Sequence, residues 1–103
     1  MTMHERDLER VLVDEAKKHG WMRYHVPDSR RTEAGFPDEV LLHPGAGRLV
    51  IAELKTDGGA IKPAQRVWLE GLGRVKELGH PPEVYVWRPK RMQAMLDTLR
   101  SVR

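Results

Sequence analysis

The sequence predicts a mixed α/β fold, with four strands in a mixed sheet flanked by helices, in the order α-β-β-β-α-β-α. Three observations carry this. Apolar residues recur at helical spacing in three segments. Short strand-like runs bounded by Gly and Pro lie between them. One of those runs, Leu49-Val50-Ile51-Ala52, is apolar without a break, as in a central strand covered on both faces.

The first helix is expected over about residues 3–19. Thr2 stands as its N-cap with Glu5 three residues on, a capping-box pattern. Leu8, Val11, Leu12 and Ala16 follow at helical spacing, and Gly20 is the left-handed terminator. Residues 21–26 read as a strand stopped by Pro27. The polar, basic, turn-rich residues 28–37 read as a mobile loop. A second strand is expected over 38–43, a turn over 44–47 and a third strand over 49–54. Residues 56–59 form another loop, and Pro63 suits the first turn of a second helix. Val67, Trp68, Leu72, Val75 and Leu78 mark that helix, Gly79 closes it, and Gly71 and Gly73 weaken it by roughly 1 kcal/mol each. Residues 83–87 are a fourth strand broken at Arg88-Pro89, and Met92, Met95, Leu96 and Leu99 mark a last helix.

At 103 residues, without a repeat, linker or low-complexity tract, one domain over 1–103 is expected. No apolar run reaches about 18 residues, so no membrane span is expected. The first seven residues have no apolar core, so they do not read as a secretion signal. With no cysteine, disulfides, thiolate catalysis and a cysteine zinc site are excluded, and a cytoplasmic setting fits. The five histidines lack paired ligand spacing, so a histidine zinc site is not expected either. The net charge of +3 is compatible with nucleic acid, and so is the run of basic residues at expected element ends, among them Arg23, Arg88, Lys90 and Arg91.

The chemistry concentrates on the third strand. Alternation puts Leu49, Ile51, Glu53 and Lys55 on one face, so a carboxylate and an ammonium end a core-facing row. Buried charge is costly unless it is paired or binds a metal. An isolated Glu-x-Lys is more often a fraying surface pair. Gly35-Phe36-Pro37-Asp38 is the second signal. Pro37 fixes its own φ and pushes Phe36 toward an extended shape. Asp38 then points with Val40 and Leu42, and Glu39 points to the opposite face as the weaker ligand candidate. If the two strands pair through the 44–47 turn, Asp38 begins one arm and Glu53 ends the other. Two carboxylates and a lysine at one sheet edge make a Mg²⁺ site beside a phosphate. Gln65, in the first turn of the second helix, should fall near the same strand end.

The ordered set Gly35-Phe36-Pro37-Asp38, Glu53-Leu54-Lys55 and Gln65 resembles the VRR-NUC family of PD-(D/E)xK nucleases, in its stand-alone phage and bacterial form. The resemblance extends to Gly20-Trp21, to the residues from Tyr24 to Arg31, to Trp68-Leu69 and to Val86-Trp87-Arg88-Pro89. It implies a restriction-endonuclease-like core of the order read above. It implies that Asp38, Glu53 and the Leu54 backbone carbonyl bind Mg²⁺, with Mn²⁺ as a substitute. Lys55 would be catalytic, assisted by Gln65. A glutamate of the first helix would join the site, either Glu5 or Glu9, with Glu5 slightly preferred.

The function expected is therefore metal-dependent hydrolysis of DNA phosphodiesters, selective for branched DNA such as four-way junctions. A homodimer is expected, without a membrane or small-molecule cofactor, in the cytoplasm of a bacterial cell or a phage-infected host. Arg30 and Arg31, with Ser29 and His25, are expected to contact DNA. The Met92, Met95, Leu96 and Leu99 stripe could serve the core or a dimer contact. Two other readings stand beside this one: a nicking or restriction-type enzyme acting on duplex, and a non-catalytic DNA-binding module.

Overall fold

In the structure, a computed structural model that describes residues 3–27 and 33–102, the elements follow the expected order. They are α1 (Glu5–Lys18), β1 (Met22–His25), β2 (Glu39–His43), β3 (Arg48–Leu54), α2 (Pro63–Glu77), β4 (Glu83–Trp87), a short 3-10 turn (Pro89–Arg91) and α3 (Met92–Arg100). The strands lie in the order β1-β2-β3-β4. β1 with β2 and β2 with β3 are antiparallel, the second pair joined by the short 44–47 turn. β3 and β4 are parallel, and α2 is the crossover that parallel pairing requires. The start of α1 differs from expectation: His4 is its N-cap, and Asp7 accepts the His4 N–H at 3.0 Å. Thr2 lies outside the described residues. Gly20 ends the turn after α1 at φ +82°, the left-handed conformation expected of it.

Register fixes two faces. Leu41, Val50, Ala52, Leu54 and Trp87 share the face covered by α1 and α3. They pack with Leu8, Leu12 and Ala16 of α1, with Met95 and Leu99 of α3, and with Trp21. The Trp21 indole donates to the Leu99 carbonyl at 2.9 Å, which ties the end of α3 to the start of β1. The Met92, Met95, Leu96 and Leu99 stripe is therefore core: Met95 and Leu99 are fully buried, and Met92 and Leu96 pack against the cluster. It is not surface left over for a dimer.

The opposite face carries Met22, Tyr24, Val40, Leu42, Ile51, Glu53 and Val86. α2 packs against the β4 side of it. Over β1 and β2 the face is open, with Met22 60% and Tyr24 58% exposed. α2 itself buries no residue completely, and Val67, Val75 and Leu78 are exposed. The face of Gln65, Trp68, Leu69 and Leu72, the one expected to pack on the sheet, is half-buried. The helix lies along an edge strand, so only one side of it meets protein. Among the described residues, no helix is long and apolar enough to cross a membrane.

Candidate active site

The β2–β3 hairpin brings Asp38 and Glu53 together. Glu39 pairs with Ala52, so the next step of the antiparallel register sets Asp38 opposite Glu53. Asp38 Oδ2 accepts the Leu54 N–H at 3.0 Å, while the Asp38 carbonyl accepts the Val26 N–H at 2.8 Å. In a strand, the N–H and C=O of one residue face the same edge. The Leu54 carbonyl therefore faces the Asp38 side.

Before Asp38, the chain passes against the start of α2. Gly35 has φ +87°, and a Cβ there would lie 2.4 Å from the Ala64 carbonyl carbon and oxygen. Only glycine allows that approach. Phe36 then meets Trp68 edge to face, 5.0 Å between ring centroids. This contact fixes the first turn of α2, where Gln65 sits. Gln65 Oε1 accepts the Lys62 N–H at 2.8 Å, which turns its Nε2 toward Glu53 Oε2 at 3.1 Å. Gln65 is thus both the N-terminal cap of its helix and a donor to the site.

Glu53 is 2% exposed, and its Oε1 finds no donor among the described residues. The Lys55 ammonium stands 3.9 Å from Oε2, too far to neutralise it fully. Burial, then the nearby Asp38 charge, push the Glu53 carboxyl up to about 8. Asp38 and Glu53 share a hydrogen bond when one of them carries a proton.

The two α1 glutamates separate. Both line a cleft of about 530 Å³ with Asp38, Leu54 and Gln65, and it is Glu5 that feels the Asp38 charge. Partial burial, then the Asp38 charge, raise its pKa, and the Lys55 charge opposes them. Glu9 is already paired within the cleft, 2.9 Å from Arg23 Nη2 and 3.4 Å from His25 Nδ1. His25 also lines the cleft. Ser29, Arg30 and Arg31 lie outside the described residues.

Glu39 is the residue that sequence reasoning undervalued. It points away from Asp38, as alternation requires, yet it is fully buried. Arg23 donates to it twice, Nε to Oε1 at 2.6 Å and Nη2 to Oε2 at 2.8 Å, and His25 Nδ1 lies 2.8 Å from Oε2. Glu9, His25 and Glu39 come close enough to hold a metal ion. Arg23 already supplies a cation to both carboxylates, so their charge is largely answered. The signal in the sequence was Arg23-x-His25, two polar residues on one face of the strand paired with β2.

The chain is structurally similar to a protein described as a VRR_NUC domain protein. The TM-score is 0.68 with 19% identical residues, over 99% of this chain and 89% of that one. It is also similar to Archaeoglobus fulgidus Hjc, a Holliday junction resolvase from an archaeal hyperthermophile, at a TM-score of 0.49 and 19% identity, over 82% of this chain and 68% of that one. No protein-family model and no curated protein matches the chain. The fold is a VRR-NUC-like nuclease fold, a mixed four-stranded sheet flanked by helices.

Proposed function

We propose that the chain is a divalent-metal-dependent DNA endonuclease that cuts branched DNA as a homodimer. The observation that carries this reading is Glu53, a buried carboxylate with one oxygen unpartnered among the described residues, set against Asp38 and held short of full pairing with Lys55. A group so placed is expensive unless a cation completes it.

The donor set fits a hard cation: two carboxylates and a backbone carbonyl, all oxygen, with Asp38 and Leu54 lining the open cleft. Asp38, Glu53 and the Leu54 carbonyl would hold Mg²⁺, with Mn²⁺ as a substitute. Bound there, the ion would acidify a water and polarise a phosphoryl oxygen. Lys55 stabilises charge that develops on the phosphate. Gln65 keeps Glu53 in one rotamer through its Nε2–H. Glu5, rather than the Arg23-bound Glu9, serves as the helix carboxylate of the site, a hydrogen-bond acceptor for water in the cleft. His25 contacts the DNA backbone from the cleft wall, and Ser29, Arg30 and Arg31 extend that contact. The open apolar face over β1 and β2 suits a second copy of the chain, which would bring two sites to two strands.

The test is cleavage of labelled four-way junction, flap and linear duplex, with Mg²⁺, Mn²⁺ or EDTA, beside Lys55→Ala. Paired junction cuts that need metal and Lys55 are expected. Equal cutting of all three substrates would discard the junction preference. Binding without cutting in either metal would discard the enzyme.

A further inference from the structure

The residues that follow β4 lie outside the carboxylate cluster, yet they hold the backbone on which Lys55 stands. The Trp87 carbonyl accepts the Lys55 N–H at 3.0 Å, carrying the parallel pairing one residue past the end of β3. Arg88 then reaches back. Its Nη1 donates to the Thr56 carbonyl at 2.6 Å and the Gly59 carbonyl at 2.7 Å, with the Asp57 carbonyl at 3.4 Å. Asp57 Oδ1 accepts the Lys90 N–H at 2.8 Å, and the Gly59 N–H closes on the Thr56 carbonyl at 3.1 Å.

Apart from the Gly59–Thr56 bond, that turn is held from outside, by Arg88 and the Lys90 N–H. It contains Gly58-Gly59, the most permissive backbone available, and Asp57 and Gly58 are exposed. Carbonyl oxygens brought together repel unless a cation answers them, and the Arg88 guanidinium does so. Lys55 lies on this turn: a Cβ at Gly59 would sit 3.5 Å from Lys55 Cδ and 2.9 Å from Thr56 Oγ1. The Lys55 side chain is 13% exposed, with Nζ 3.9 Å from Glu53 Oε2. A long, flexible side chain is thus fixed by what its stem rests on.

We propose that Arg88 is a positioning residue for Lys55: it fixes the Thr56–Gly59 turn and through it the place of the Lys55 ammonium beside Glu53. The catalytic consequence rests on the nuclease reading above; the structural one does not.

The experiment compares the full chain with Arg88→Met, Lys55→Ala and their double variant. Single-turnover cleavage, DNA affinity and amide hydrogen exchange over residues 55–59 are measured. In Arg88→Met the turn amides should exchange at least about tenfold faster, and cleavage should slow by roughly 10- to 100-fold, as small misplacements do. DNA affinity should stay within about twofold. The double variant should be no slower than Lys55→Ala, because both changes act on one group. Gly59→Ala, which pushes on the same stem, should give the same split and serves if Arg88→Met does not fold. Unchanged exchange would overturn the inference whatever the activity. Weakened DNA binding with unchanged cleavage rate would overturn it in favour of a phosphate contact, and multiplied losses in the double variant would overturn it in favour of independent roles. A wild-type chain that cuts nothing would sink the nuclease reading, and with it the catalytic consequence alone.

Discussion

The two ends of β3 carry carboxylates in opposite states. At its start, Arg48 grips Glu83 with two bonds of 2.7 Å. The same guanidinium reaches the Thr98 carbonyl and the Ser101 carbonyl and hydroxyl, and it lies 5.2 Å over the Trp21 ring. Those bonds hold the Glu83 carboxyl below its usual range. At the other end, Glu53 is raised to about 8 and keeps an oxygen without a donor among the described residues. A strand of seven residues therefore joins a pole that stabilises the fold to one that strains it. Buried charge with its partner contributes to stability; buried charge without one is a candidate for chemistry.

The largest effect should follow from removing charge at the strained end. Asp38→Asn should lower cleavage by at least about 10²-fold. It should leave the metal-free fold as stable as the wild type or more so, as thermal melting in EDTA would reveal. A large loss of stability would show that the two ends do not differ in kind. Arg48→Met should do the reverse. Losing the Glu83 pair and the α3 contacts should cost about 2 kcal/mol, less than a fully buried pair because both groups touch solvent. That is roughly 10 °C in Tm for a chain of this size, with cleavage per folded molecule unchanged.

Smaller, and more discriminating, is the dependence on pH. Glu53 has its pKa raised on folding, so the folded state holds a proton the unfolded chain has lost between about pH 4.5 and about 8. Stability of the metal-free protein should fall as pH rises through that window, and Glu53→Gln should flatten the fall. Glu83 has its pKa lowered, so its contribution is present above about pH 4.5 and lost as pH drops through the folded value. Arg48→Met should remove that acid-side loss. Urea denaturation at several pH values measures both slopes. Added Mg²⁺ should raise Tm more at pH 8.5 than at pH 6, because it competes with the proton on Glu53. Equal gains at the two pH values would place the metal elsewhere.

Much of this was legible in the residues. A strand over 83–87 broken at Arg88-Pro89 was expected, and β4 runs from Glu83 to Trp87. Strand alternation and a short turn were enough to bring Asp38 to Glu53. What was not legible depends on partners distant in sequence. Periodicity identified one face of α2, but not that an edge strand would meet only part of it, so Val67 and Leu78 are exposed. Alternation turned Glu39 away from Asp38, but its burial rests on Arg23 and His25 from another strand. The role of Arg88 needs a fold that returns β4 to the turn after Lys55. The first cap of α1 shifted to His4 because Asp7 supplies the acceptor there.

Two bonds have a consequence for stoichiometry. Asp38 Oδ2 is engaged by the Leu54 N–H, and Glu53 Oε2 by Gln65. Among the described residues each carboxylate therefore has one oxygen already taken by an N–H, and with the Leu54 carbonyl the proposed site supplies three protein ligands. A cation that demands octahedral surroundings would keep about half its coordination positions for water and phosphate. Selectivity for Mg²⁺ over the larger Ca²⁺ would then come from the short reach of two one-handed carboxylates, which cannot clasp a wide ion in bidentate fashion.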